Sequence, residues 1–292
     1  MATHPSAFAV EKAPERILER YPFLACPTCI CALQADDSVL VCPRCRNTFP
    51  VRAGTPIVLP SNVSFDTAVA HDVAQSEKGW ARRVLTYGKH FGLHNHDRVL
   101  SLCAGGPVLN LGGGPTRDRP QYINLNLAPF PNVDIVGDAE HLPILGNALA
   151  GVVCNAVLEH VCAPWLVVQE IQRVLRPGGH VYIEVPFLQH FHPSPDDFYR
   201  FTLHGVRELC RDFEVLESGV VNGPMVTFVE MVESFIFLLP IRNRPIASLT
   251  KGIVRTALYP TRILDLILIR NERAHTVANG VYFLGRKTAC AN

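Results

Sequence analysis

Between residues 107 and 186, short apolar runs alternate with polar or glycine-rich breaks. Residues 107–111 (PVLNL) run into Gly112, Gly113, Gly114 and Pro115. Residues 122–125 end at Asn126, and residues 133–136 lead to Gly137, Asp138, Ala139 and Glu140. Residues 151–154 precede Leu158, Glu159 and His160. The period then changes. Val167, Ile171, Val174 and Leu175 recur at i, i+4, i+7 and i+8, which predicts an amphipathic helix over 164–175. Pro164 suits its first turn, and Pro177-Gly178-Gly179 stops it. A fifth apolar run, 180–185, ends at Pro186. Strands alternating with helical segments predict an α/β domain with a doubly wound parallel sheet. In such sheets ligands bind beyond the carboxyl ends of the strands, at the switch point.

The flanks read differently. Residues 1–20 are an extension without the apolar core of a signal peptide, and 21–60 form a cysteine module. Residues 61–104 are a helical linker, with helix expected around 66–90. His90, His94 and His96 are expected in a solvated loop, a metal or substrate role being the alternative. Residues 105–292 form the main domain, with an apolar helical insertion at about 225–270. Residues 225–241 are apolar but interrupted by Glu230 and Glu233 and closed by Pro240. They read as a buried core or dimer helix, or else as a membrane-surface or lid helix. Arg255, Arg262 and Arg270 among leucines and isoleucines add peripheral membrane contact, with a lipid-linked substrate. No apolar run reaches the eighteen residues of a spanning helix, so a reducing cytoplasm is the expected location.

Composition narrows the classes. The 292 residues are 48% hydrophobic and 18% charged, enough to build a core and too apolar for a disordered chain. Lys plus Arg is 27 against 26 Asp plus Glu, which argues against a nucleic-acid partner held by broad charge attraction. There are ten cysteines, of which Cys26/Cys29 and Cys42/Cys45 form two CxxC pairs twelve residues apart. Two such knuckles aim four thiolates at one point, the donor set of a closed structural Zn²⁺ site. A redox dithiol is the alternative. About forty residues bury little area, so the metal would contribute folding energy. Cys31 falls outside the pattern as a spare thiol.

With Leu24, Leu40, Phe49, Pro50, Val51, Gly54, Pro56 and Leu59 around those cysteines, the module resembles the small zinc-ribbon proteins that activate partner methyltransferases. The resemblance implies a binding and stabilising role, not catalysis.

In the main domain the glycine loop lets backbone approach a ligand closely. Asn126 sits where a ribose would be gripped, and Asp138 where an adenine amino group would be met. VLNLGGGP, VGDAEHLP, VLEHV and EIQRVLRPGGHVYIEVPF resemble class I S-adenosylmethionine-dependent methyltransferases of the type 11 kind, over about 105–217. The resemblance implies a Rossmann-like sheet, with residues 281–285 (VYFLG) as its last, antiparallel strand. It implies S-adenosylmethionine as cofactor, with Gly112, Gly113 and Gly114 at the methionine part and Asn126 at the ribose. Asp138 and Ala139 would lie at the adenine, and Cys154 and Asn155 beside the transferable methyl. Three features depart from the pattern. Asn126 replaces an acidic residue, Ala150 replaces an Asp, and seven residues between Gly114 and Tyr122 leave no room for the first helix.

The segment PFLQHFHPSPDDFYRFT follows the fifth strand as the substrate-loop candidate. His190 or His192 is the expected general base, with His160 a second candidate. Asp196, Tyr199 and Arg200 are expected to face substrate, Arg200 as a clamp for carboxylate or phosphate. An HxH metal site with Asp196 is the alternative, and a capped loop with Arg200 paired to Asp197 the structural one. The reading is methyl transfer to O or N of a small-molecule, glycan or lipid-linked acceptor. The rivals are a non-catalytic zinc-stabilised scaffold, a methyltransferase-fold enzyme of different chemistry using His190 and His192, and an RNA-modifying enzyme.

Overall fold

The computed structural model describes residues 13–63, 93–114, 117–193, 196–239 and 244–288. The helix expected around 66–90, His90, Pro115, Ser194 and Pro195 lie outside the described residues, as does the side chain of His94.

Helix α1 (Ala13–Arg20) leads into four short strands. These are β1 (Gln34–Asp36), β2 (Val39–Val41), β3 (Thr48–Arg52) and β4 (Thr55–Val58), paired antiparallel in succession. Helix α2 (Leu93–Leu102) precedes β5 (Val108–Leu111), β6 (Tyr122–Asn126), β7 (Ile135–Gly137) and β8 (Leu149–Asn155). Helix α3 (Pro164–Val174) then connects to β9 (Leu175–Pro186). After α4 (Leu203–Leu209) and β10 (Phe213–Asn222) come α5 (Pro224–Leu238), α6 (Arg244–Leu258) and α7 (Asp265–Leu268), and β11 (Gly280–Lys287) closes the sheet.

The strand order is β1-β2-β3-β4-β7-β6-β5-β8-β9-β11-β10. From β4 to β9 every pair is parallel, and β11 lies antiparallel between β9 and β10. The connections run outward in opposite senses from β5, so the switch point lies between β5 and β8. All four residues of β5 are buried, the pattern of a strand covered on both faces. Asn110 is tolerated there because its Nδ2 donates to Asn124 Oδ1 on β6, 3.1 Å away.

The cysteine module is built into this sheet. Ile57 and Val58 of β4 pair with Val136 and Gly137 of β7. Leu24, Leu40, Phe49 and Val58 are buried in the same cluster as Leu125, Ile135, Leu142 and Ile144. Asp134, just before β7, ties the parts together. It accepts from Tyr21 Oη (3.0 Å), Arg117 Nη2 (2.8 Å) and the Asn124 backbone N–H (2.9 Å). That inward turn explains why the third strand of the main domain begins at Ile135 rather than at residue 133.

One expectation is corrected. His96 is not in a solvated loop. It lies on α2, 5% exposed, against the rings of Tyr122 and Tyr182. Helix α5 buries Val226, Thr227, Val229 and Ile236. Glu230 and Glu233 are buried on the same helix, held by Asn279 Nδ2 (2.8 Å) and Arg255 Nε (2.6 Å). Its Phe228, Phe235 and Leu238 face outward, exposed.

Candidate active site

The loop after β5 curls over the strand ends. Gly112 and Gly114 have φ of +70° and +59°, in the left-handed region that favours glycine. A Cβ on Gly113 would stand 2.8 Å from Asn124 Cγ and 3.0 Å from Asn110 Nδ2. The loop therefore lies directly on the buried asparagine pair. None of the described residues between Gly112 and Tyr122 is helical, as the short spacing predicted.

Around this loop stand the other strand ends. Asn126 Oδ1 accepts from the Ala128 N–H at 3.0 Å. Asp138 Oδ1 accepts from the Glu140 N–H (3.0 Å), and Oδ2 lies 2.9 Å from His141 Nδ1. Ala139 packs partly buried against the main core. Cys154 is fully buried, and burial pushes its thiol well above the ordinary range. In a parallel strand covered on both faces, only the terminal residue reaches the cleft, and that residue is Asn155.

Asn155 lies opposite Glu184 in register and lines a cleft of about 120 Å³ with Pro186, Gln189, Asn222 and Asn279. Asn155 Nδ2 is 2.7 Å from His96 Nε2. The Oδ1 atoms of Asn155 and Asn222 are buried without a hydrogen-bond partner. Glu184 is the polar group that stands out. Burial raises its pKa to about 7, and the Tyr182 hydroxyl, which accepts from Asn95 Nδ2, donates to its Oε2 at 3.1 Å. Sequence reasoning passed over Glu184. The signal was a carboxylate inside the apolar run VYIEVP. Nothing in the local sequence marks Asn222 or Asn279.

The loop beyond β9 is organised by internal bonds. Arg200 donates to Asp197 from both Nη atoms, to the Tyr199 and His190 carbonyls, and from Nε to the Gln189 carbonyl. All five guanidinium donors are engaged, so Arg200 braces the loop and is not free to clamp substrate. Asp197 is held well below the usual carboxylate range by Arg200. Tyr199 Oη donates to the Cys162 carbonyl at 2.9 Å. Asp196 is exposed and offers its backbone carbonyl, not its carboxylate, to His160 Nδ1 (2.5 Å). The HxH site with Asp196 does not form. His190 Nδ1 instead faces Glu230 Oε2 at 3.6 Å. His160 and His192 converge on Glu159, whose side chain has no solvent exposure, with Nε2–Oε1 distances of 3.8 and 3.7 Å.

At the other end of the sheet, the sulfurs of Cys26, Cys29, Cys42 and Cys45 lie within 4.8 Å of one another. Cys26 and Cys45 are 3.7 Å apart, against about 3.8 Å for a tetrahedral edge with Zn–S of about 2.3 Å. The four residues fit a closed tetrahedral metal centre. Cys31 is not remote from it, its sulfur lying 3.4 Å from that of Cys42.

The strand order, the antiparallel β11 and the glycine loop define the class I methyltransferase fold, with a ribbon joined to its edge. Residues 120–183 match the family model described as methyltransferase domain, and residues 20–54 the one described as Trm112p-like protein. The chain thus carries a methyltransferase-type domain preceded by a Trm112p-like one. No curated protein matches it. Among solved structures it is similar to the complex between the Haloferax volcanii Trm112 methyltransferase activator and a methyltransferase (15% identity, 76% of this chain and 99% of that one, TM-score 0.44). It is also similar to the Burkholderia thailandensis 1,6-didemethyltoxoflavin-N1-methyltransferase (16%, 85% and 98%, TM-score 0.44). A third is a S-adenosylmethionine-dependent methyltransferase of Thermotoga maritima (14%, 76% and 100%, TM-score 0.46).

Proposed function

We propose that the chain transfers a methyl group from S-adenosylmethionine to an oxygen or nitrogen of a small acceptor held in the cleft above β8 and β9. The cofactor would supply an electrophilic methyl. The glycine loop, Asn126 and Asp138, at the carboxyl ends of β5, β6 and β7, would hold it through backbone N–H groups, an amide and a carboxylate. The observation that carries the reading is Glu184, a partly buried carboxylate with a pKa of about 7 at the cleft wall. It can take the acceptor's proton near neutrality. Asn155 and Asn222, with unpartnered buried oxygens, can orient the acceptor's donor groups. Positioning of this kind supplies much of the rate in such a displacement. Cys26, Cys29, Cys42 and Cys45 would hold a structural zinc ion, and the ribbon would support the catalytic part in cis.

The test is titration calorimetry of zinc-replete protein with S-adenosylmethionine and its demethylated product. Micromolar binding is expected. Asp138→Asn keeps the cap to Glu140 and removes the charge, and should weaken binding roughly 10- to 100-fold. No binding of either compound would leave a zinc-stabilised scaffold as the better reading.

A further inference from the structure

We propose a second metal site, for a divalent transition ion, formed by Glu159, His160 and His192 beside the acceptor cleft. One ligand atom from each of Glu159, His160 and His192 lies within 4.8 Å of the other two. The two Nε2–Oε1 separations, 3.8 and 3.7 Å, approach the roughly 3.4 Å expected between tetrahedral ligands held at about 2.1 Å. A small closure of the histidines completes the set.

Three further observations point to a cation here. Glu159 is 0% exposed, and neither carboxylate oxygen has a hydrogen-bond partner. A buried carboxylate in that condition is strongly disfavoured unless positive charge balances it. Second, each histidine has its other ring nitrogen at a backbone carbonyl. His160 Nδ1 meets the Asp196 carbonyl at 2.5 Å, and His192 Nδ1 meets that of His190 at 2.9 Å. A carbonyl only accepts, so each Nδ1 carries a proton and each Nε2 is the atom that faces the carboxylate. Lone pairs converging on a carboxylate require a proton or a metal between them, and backbone-held Nδ1–H groups are the usual outer support of metal-bound imidazoles. Third, the rings stand 5.2 Å apart at 88°, and both side chains are partly exposed, at 17% and 26%, so an ion can enter from solvent.

Two imidazoles and one carboxylate suit Mn²⁺, Fe²⁺, Co²⁺ or Zn²⁺ and leave positions open for another ligand. Ala156 and Gln189, which line the cleft, are each three residues from a ligand. An acceptor oxygen is the natural occupant of an open position, where the ion would lower its pKa. That last point rests on the transferase reading; the metal site does not.

The experiment loads the full chain with one equivalent of Zn²⁺ at the ribbon and titrates Co²⁺, following visible absorption, with metal counted after gel filtration. One further equivalent is expected, with bands of nitrogen and oxygen ligation and no thiolate charge-transfer band. His160→Ala and His192→Ala should each weaken it at least about 100-fold, the upper range seen on losing a mere outer partner. Their melting curves check that they fold. Glu159→Gln should abolish it. Wild-type protein that takes up no second equivalent overturns the proposal and leaves a protonated imidazole balancing Glu159. Retention of the Co²⁺ by the histidine variants overturns it equally. Neither readout depends on S-adenosylmethionine, so failure of the transferase reading is scored separately.

Discussion

A carboxylate within an apolar strand gives up its hydration, and the residue scale of this protein turns on where that happens. Glu184 retains a hydroxyl donor and faces the cleft, so its pKa rises to about 7 rather than staying near 4.5. If it is the base, kcat/KM should climb through about pH 7 as it ionises. Glu184→Gln should lower kcat roughly 10²- to 10⁴-fold and flatten that limb. The same shift has a stability sign. Between about pH 4.5 and 7 the folded state binds the proton that the unfolded state releases. Stability therefore falls as pH rises through that window. Thermal melts of Glu184→Gln should lack this decline. A variant with full activity and an unchanged pH profile would remove Glu184 from the chemistry. The histidines expected as bases are turned elsewhere. His160 and His192 face Glu159, and His190 faces Glu230.

At the scale of elements, the decisive contact is β4 on β7. The strand β7 is only three residues long, and without β4 it would be a bare edge. Asp134 braces the same junction with bonds reaching 113 residues back along the chain, to Tyr21. Asp134→Ala would strand the buried Asn124 N–H and Tyr21 hydroxyl and should cost about 3 kcal/mol, measured by chemical denaturation. Deleting residues 1–60 should go further, because Leu125, Ile135, Leu142 and Ile144 lose their cover. An insoluble or early-melting product is expected, and a truncated chain as stable as the full one would separate the ribbon from the fold. The ribbon's cysteine spacing was legible as a metal knuckle. Its merger with the central sheet was not, since nothing in a short strand such as TPIV names its partner.

Over the whole molecule, apolar side chains of the α5–α7 region stand exposed among the described residues. Phe235, Leu238, Ile263 and Ile267 are 64%, 77%, 68% and 72% exposed on the α5–α7 region. Large exposed apolar side chains of this kind are the usual material of a contact surface. Residues 241–273 carry seven Arg or Lys against two Asp or Glu, which favours an anionic lipid surface over a second copy of the chain. Among the described residues, no helix is long and apolar enough to cross a membrane. Cosedimentation with vesicles containing phosphatidylserine, but not with neutral ones, is expected. Phe235→Asp with Leu238→Asp should abolish it and leave cofactor binding intact. Dimerisation without vesicle binding would assign the face to a second protomer.

Period and spacing are local properties, and what depends on them was determined by the sequence alone. The alternation of strands with helix α3, the glycine loop that replaces a first helix, and the paired CxxC knuckles follow from residues a few positions apart. Which face of an element is covered, and what meets it, depends on contacts tens of residues away. Only the tertiary structure could turn the glutamates of α5 inward, occupy every donor of Arg200, or bury Cys154 next to an Asn155 that lines the cleft. It alone brings His192 to Glu159 and His160 across more than thirty residues, because a buried charge finds its partner through packing, not through sequence order.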